Sequence, residues 1–147
     1  MPFQKILVPI DFEETSEHAL EHAIELAAKL GAALTVVHVY SVIVYSFPDG
    51  SYLPASELAE SVRQAAQRRL DTTVEARRAR GVRLDGVLRE GRSADEICKT
   101  AAEISADLIV MGTHGRSAIG RALLGSVATA VLRHAPVPVM TIRKKAA

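Results

Sequence analysis

The sequence predicts an α/β fold: a single doubly wound parallel sheet with helices on both faces. Three observations predict it. Five short apolar runs alternate with four helical patterns, in the order βαβαβαβαβ. Four of the runs are apolar at nearly every position, the mark of strands covered on both sides. The intervening segments carry apolar residues on one helical stripe, which a sheet can cover. Right-handed crossovers follow for parallel strands. A length of 147 residues suits one domain spanning residues 1–147.

"KILVPI" (5–10) is the first strand. Thr15 or Ser16 is placed to cap a helix running to Leu30, with Leu20, Ala23, Ile24, Ala27 and Leu30 on its inner face. Gly31 supplies the left-handed stop. "ALTVVHVY" (33–40) is the second strand. Residues 41–53 form an irregular, aromatic connection with turn chemistry at Pro48-Asp49-Gly50. Pro54 opens a long helix to about Arg80, its stripe made by Leu58, Val62, Ala65, Ala66, Leu70 and Thr73, and Gly81 ends it. "RLDGVLRE" (83–90) reads as a weaker, shorter strand. "SADE" (93–96) has the form of a capping box, with Ser93 as cap, Glu96 reaching back, and Ile97, Cys98, Ala101 and Ala102 facing inward. "DLIVM" (107–111) is the fourth strand. A helix from Ser126 to His134 stops before Pro136. "VPVMTI" (137–142) is an edge strand, because Pro138 cannot donate to a ladder.

The totals exclude several classes. A net charge of +1 gives no pull toward nucleic acid or anionic membrane. One cysteine, Cys98, can form neither an internal disulfide nor a zinc cluster and fits a reducing compartment. The apolar start ends at Asp11, so it is a poor signal peptide. The most apolar stretch, residues 33–47, is shorter than the ~20 residues of a spanning helix. The expectation is a cytoplasmic protein with neither membrane nor nucleic-acid partners.

Open α/β sheets bind ligands past the carboxyl ends of their strands, where the winding reverses. Those ends carry Asp11, Val39 with Tyr40, Gly91, and Gly112. From the last of them runs "MGTHGRSAIGRALLGSVATAV" (111–131), with Gly112, Gly115, Gly120 and Gly125, ending at a helix start. Free amides and the positive end of the helix dipole make that an anion site, and glycines let an anion approach. Common phosphate loops do not match. In "GRSAIGRA" (115–122) Arg121 stands where a Walker lysine would, and Ala122 where the magnesium-binding hydroxyl would. The dinucleotide fingerprint is absent.

The pattern that fits is G-x2-G-x9-G-[ST], as Gly112, Gly115, Gly125 and Ser126. It resembles the nucleotide-binding signature of the ATP-binding universal stress proteins. "ILVPID", "ADLIVMGTHG" and "LLGSVATAVLRHAPVPVM" resemble that family's first strand, fourth strand with its turn, and last helix with its edge strand. The resemblance covers the whole chain and implies strand order 3-2-1-4-5. It implies that Pro9 and Asp11 lie along adenine and ribose, and that Val39 meets adenine through its backbone. It places Met111, Gly112 and Gly115 at the ribose and first phosphate, and Gly125, Ser126 and Val127 at the outer phosphates. Thr113, His114 and Arg116 lie in the turn between. It further implies ATP or another adenine nucleotide, with Mg2+, and a homodimer paired through Val137 to Ile142. Phe12, Glu13 and Glu14 depart from the small residues common after the aspartate; two carboxylates there must point away or hold magnesium.

Plainer readings stand beside these. Gly112 and Gly115 can serve a tight turn alone, and Asp11 can cap a helix. His18 and His22 have metal spacing but lie away from the Leu20/Ala23/Ala27 face, so they read as solvated. His38, inside a strand, reads as a hydrogen-bonded core residue, and Cys98 as core. Nine of the thirteen arginines fall between Arg63 and Arg92, interleaved with Glu57, Glu60, Asp71 and Glu75, which suits a salt-bridged solvated face. The aromatic loop (Tyr45, Phe47, Tyr52) fits a lid, a dimer contact or packing on the long helix. With no loop lysine, the expected protein is a nucleotide-binding regulator of the stress response rather than an enzyme, with slow hydrolysis at most. The alternatives are a nucleotide-independent interaction module, and a phospho-acceptor domain that would need an aspartate ending strand three, where the chain reads "REG".

Overall fold

A computed structural model describes residues 3–42, 46–51, 55–113 and 124–143. It contains β1 (Lys5–Ile10), α1 (Glu14–Leu30), β2 (Ala33–Tyr40), α2 (Ala55–Glu75), β3 (Leu84–Glu90), α3 (Ser93–Glu103), β4 (Leu108–Gly112), α4 (Ser126–His134) and β5 (Val139–Ile142), with a short 3-10 turn at Arg78–Arg80. The strands form one parallel sheet in the order β3-β2-β1-β4-β5. β1 is therefore central, and the winding reverses between β1 and β4.

Consecutive side chains of each strand feed opposite faces. Ile6, Val8, Leu34, Val36 and Val110 meet Leu20, Ala23, Ile24 and Ala27 of α1 and Leu70 and Val74 of α2. Leu7, Val37, Ile109 and Met111 meet Ile97 and Ala101 of α3 and Ala128 and Val131 of α4. The near-continuous apolar runs thus arise from two cores sharing one sheet. Fully burying a Leu or Val side chain contributes roughly 1.5–3 kcal/mol. At the opposite end of the sheet Asp107 accepts hydrogen bonds from the amides of Gln4 (2.8 Å) and Lys5 (3.1 Å), fixing the entry of β1 beside β4.

Several boundaries differ from the sequence expectation, each for a physical reason. Neither Thr15 nor Ser16 caps α1: Glu13 occupies that place without a side-chain bond, because the Ser16 hydroxyl is taken by Asp11. Ser93 lies inside α3 and Arg92 precedes it. Gly91, at φ 145°, lets the Glu96 side chain fold over it, so the capping box does not close. α2 stops at Glu75, not Arg80, where Arg77 turns to Glu17 and Glu21 on α1. Its inner face runs through Val62, Ala66, Leu70, Thr73 and Val74, with Ala65 and Leu58 exposed. Leu30 and Ala102 are likewise exposed, and Thr100 takes the inward place beside Ala101. β3 has 7 residues and is longer than β4 and β5. β4 begins and ends one residue later than expected, and β5 begins at Val139, with the Pro138 carbonyl accepting from Ile109 N.

The arginine-rich region is salt-bridged, as its interleaved carboxylates implied. Arg77 pairs with Glu17 and Glu21, Arg80 with Glu21, Arg63 with Glu60, and Arg78 with Glu75. Burial pushes the Glu21 carboxyl up, but the bonds from Arg80 and Arg77 outweigh it, and the net position is below the ordinary 4.5. A carboxylate lowered by folding adds stability above its unfolded pKa and loses it as pH falls through the folded one. Acidification below about 4.5 is thus expected to release the α1–α2 clamp. The effect is a fraction of ~1 kcal/mol, because Glu21 is 38% exposed and screened. Urea melts at pH 7 and pH 3.5 on the wild type and Glu21→Gln check it: the variant's loss on acidification should be the smaller.

Candidate functional site

The site grows from one proline. β1 pairs with β2 over six residues, Lys5 to Ile10, but with β4 only at Ile6 and Leu7. Pro9 has no N–H to give, and a proline in a central strand ends a ladder. Beyond Leu7 the two strands no longer pair, which opens a crevice at the carboxyl ends where the winding reverses. Pro9 is buried in its wall. β2 continues past the last β1 pair, Ile10 with His38, so Val39 and Tyr40 extend beyond β1 while pairing with Arg89 and Glu90 of β3. Val39 is half-buried against the α3/α4 core.

Asp11 leaves β1 at the crevice rim. Its Oδ1 accepts from Glu13 N (2.9 Å) and from the Ser16 hydroxyl (2.7 Å), and its own N–H donates to Ser16 Oγ (3.1 Å). Asp11 therefore organises the start of α1; both bonds use one oxygen among the described contacts. Between them Phe12 takes φ 65°, a conformation that costs a bulky residue about 1–3 kcal/mol. Its ring is held on two sides. His38 lies 4.4 Å away, centroid to centroid, and the Arg69 guanidinium stands 4.3 Å from the ring centre. His38 Nδ1 is 2.8 Å from the Ile10 carbonyl, so this histidine is hydrogen-bonded inside the fold as expected. The rings of His18 and His22 on α1 lie 4.6 Å apart, tilted by 55°. Among the described residues no group of three or more His, Cys, Asp or Glu could hold a metal ion.

β4 brings Met111, buried, and Gly112 to the other wall. The reason for Gly112 is packing. A Cβ there would lie 2.8 Å from Thr15 Cγ2 and 3.1 Å from the Thr15 carbonyl oxygen. The glycine lets β4 pass against the first turn of α1, which also brings Asp11 and Gly112 to the same place. Thr113 is buried, 4% exposed, and uses both backbone groups: its N–H donates to Ile142 O (3.2 Å) and its carbonyl accepts from Gly125 N (2.6 Å). The second bond closes the chain between them at its base. His114, Gly115 and Arg116 lie outside the described residues.

α4 starts at that closure. Gly125 precedes it at φ −62°, ψ 161°, a conformation open to any residue, and among the described residues no side chain caps the helix. Thr129 N–H is the first to bond within the helix, to Gly125 O at 2.9 Å. The amides of Ser126, Val127 and Ala128 therefore stand at the open, positive end of α4. Ser126 and Val127 are exposed. The structure thus gathers Pro9, Asp11, Met111, Gly112, Thr113, Gly125, Ser126 and Val127 around one switch point, with Val39 on the adjoining strand end. Thr15 and Ser16 entered the sequence reading only as candidate caps and Phe12 only as a departure from small residues after Asp11; the Arg69 contact with the Phe12 ring escaped it.

Comparison with known proteins gives one consistent result. The model of the universal stress protein family matches residues 2–143. A universal stress protein of Thermus aquaticus is 37% identical over 142 residues, covering 96% of this chain and 99% of that protein. A universal stress protein solved in complex with cAMP superposes with TM-score 0.68 at 25% identity, over 99% of this chain and 100% of that one. One from Archaeoglobus fulgidus in complex with dAMP gives 0.62 at 25% identity, over 97% and 99%.

Proposed function

The chain belongs to the universal stress protein family, and we propose that it is an adenine-nucleotide-binding member, a homodimeric regulator of the cytoplasmic stress response. One observation carries the reading. Gly125 holds a backbone conformation that any residue could adopt, so nothing in its dihedrals asks for glycine. A glycine puts no side chain beside the first amides of α4, where a phosphate needs to approach. The two relatives solved with cAMP and dAMP support an adenine nucleotide. In this reading the base and ribose lie along Pro9, Asp11 and Val39, and the first phosphate at Met111 to Gly112 and Gly115. The outer phosphates lie at Gly125 to Val127, with Thr113, His114 and Arg116 in the turn between. ATP with Mg2+ is the preferred ligand.

The homodimer would form through β5. It pairs with β4 on one side, and Met140 of this strand is 39% exposed. An apolar edge strand is a template for a second strand. The protein is a binder rather than an enzyme in this account. Chromatography of the nucleotide released on denaturation, then titration of the stripped protein with ATP and Mg2+, tests both points. Adenine nucleotide in the supernatant or micromolar affinity is expected, with turnover well below ~1 per second. Neither bound nucleotide nor affinity would favour the nucleotide-independent module.

A further inference from the structure

We infer that nucleotide binding and pairing through β5 are linked, so that an occupied site strengthens self-association; this rests on the nucleotide reading above. Residues 124–143 carry both surfaces. The amides of α4 stand at the beginning of this segment and the edge strand at its end. The segment is lightly anchored. Of its residues only Ala128 and Val131 are buried, whereas α1 alone buries six. β5 has 4 residues and one neighbouring strand.

What holds the segment at the crevice end is a two-bond relay. Gly125 N–H donates to Thr113 O at 2.6 Å, and Thr113 N–H donates to Ile142 O at 3.2 Å. One buried residue just past β4 thereby ties the start of α4 to the last residue of β5. At the other end Ile109 N donates to the Pro138 carbonyl at 3.0 Å. A region with little buried surface opens at lower free energy than the core. A ligand on the α4 amides must order this region, and so must a second copy on β5. Whichever binds first bears the ordering cost, and the other then binds more tightly. Linkage makes the effect reciprocal.

Sedimentation equilibrium of the full chain, without and with saturating ATP and Mg2+, reads one side of the linkage. Calorimetric titration of ATP into the wild type and into Met140→Arg, built to be monomeric, reads the other. The dimer dissociation constant is expected to fall by about 5-fold or more with ATP, and the monomeric variant to bind ATP correspondingly more weakly. Wild type diluted to its monomer serves if the variant does not fold. ATP binding with an unchanged dimer constant and equal affinities overturns the linkage while leaving the nucleotide site standing. A chain that stays monomeric with ATP bound overturns it too. Absence of ATP binding removes the nucleotide reading itself and the linkage with it.

Discussion

Gly125→Asp is expected to separate folding from binding, raising one and abolishing most of the other. Aspartate is among the best residues at a helix N-cap, and φ −62°, ψ 161° already suits it. Its carboxylate would bond to the amides of the first turn and sit at the positive end of the helix, adding up to ~1 kcal/mol of stability. The same carboxylate would occupy the acceptor place and repel a phosphate. Loss of one charge-assisted hydrogen bond, about 1.5–3 kcal/mol, lowers nucleotide affinity roughly 10- to 100-fold. Thermal melting and calorimetric titration on the same sample check both halves. A packing-only role for Gly125 predicts the reverse: a variant that melts lower and, where folded, binds as before.

Gly112→Ala should behave in the opposite way. The added methyl meets the Thr15 side chain at 2.8 Å and, less forgivingly, the Thr15 backbone oxygen at 3.1 Å. The side chain can turn away; the backbone can yield only by moving α1 from β4. Overpacking of this kind costs about 1–3 kcal/mol, and valine would cost more. Thr15→Ser removes the offending methyl and should restore part of the loss, while the carbonyl contact persists. Denaturant melts of the two single variants and the double variant give the coupling directly. The consequence for the site is specific. Weak nucleotide binding by a Gly112 variant would report a displaced α1, and with it a displaced Asp11, so Gly125 is the cleaner probe.

These two glycines also show how far the sequence can be read. Both belong to one spaced signature, yet the structure gives one of them a packing reason and leaves the other without a conformational one. No local feature distinguishes them, because the Thr15 contact joins residues far apart in the chain. The same holds for Asp11. Its strand-end position suggested a ligand or a cap; the structure makes it neither the N-cap of α1, which is Glu13, nor a bare acceptor, since it binds Glu13 N and the Ser16 hydroxyl. β1 and β4 were legible because burial on both faces leaves an unbroken apolar run, whereas β3, with one buried residue, reads more weakly. Helix ends were less legible, since tertiary partners moved them. Arg77 is drawn to Glu17 and Glu21 across the α1–α2 contact, and Glu96 lies over Gly91 instead of closing its box. The crevice itself was encoded in a single residue. The sequence offered Pro9 as part of an apolar run and, through the resemblance, as a neighbour of the adenine; only the β1–β4 register shows that the ladder stops short of it.

The most direct test of the account is the amide spectrum of α4. Backbone resonances of Ser126, Val127 and Ala128 should be followed by NMR as ATP with Mg2+ is added to the isotope-labelled chain. If these amides hold the outer phosphates, all three shift together with the saturation curve of binding. The fully bonded amides of Thr129 and Ala135 should move far less. Nucleotide that binds without moving the three amides would contradict the account and place the phosphates elsewhere on the sheet.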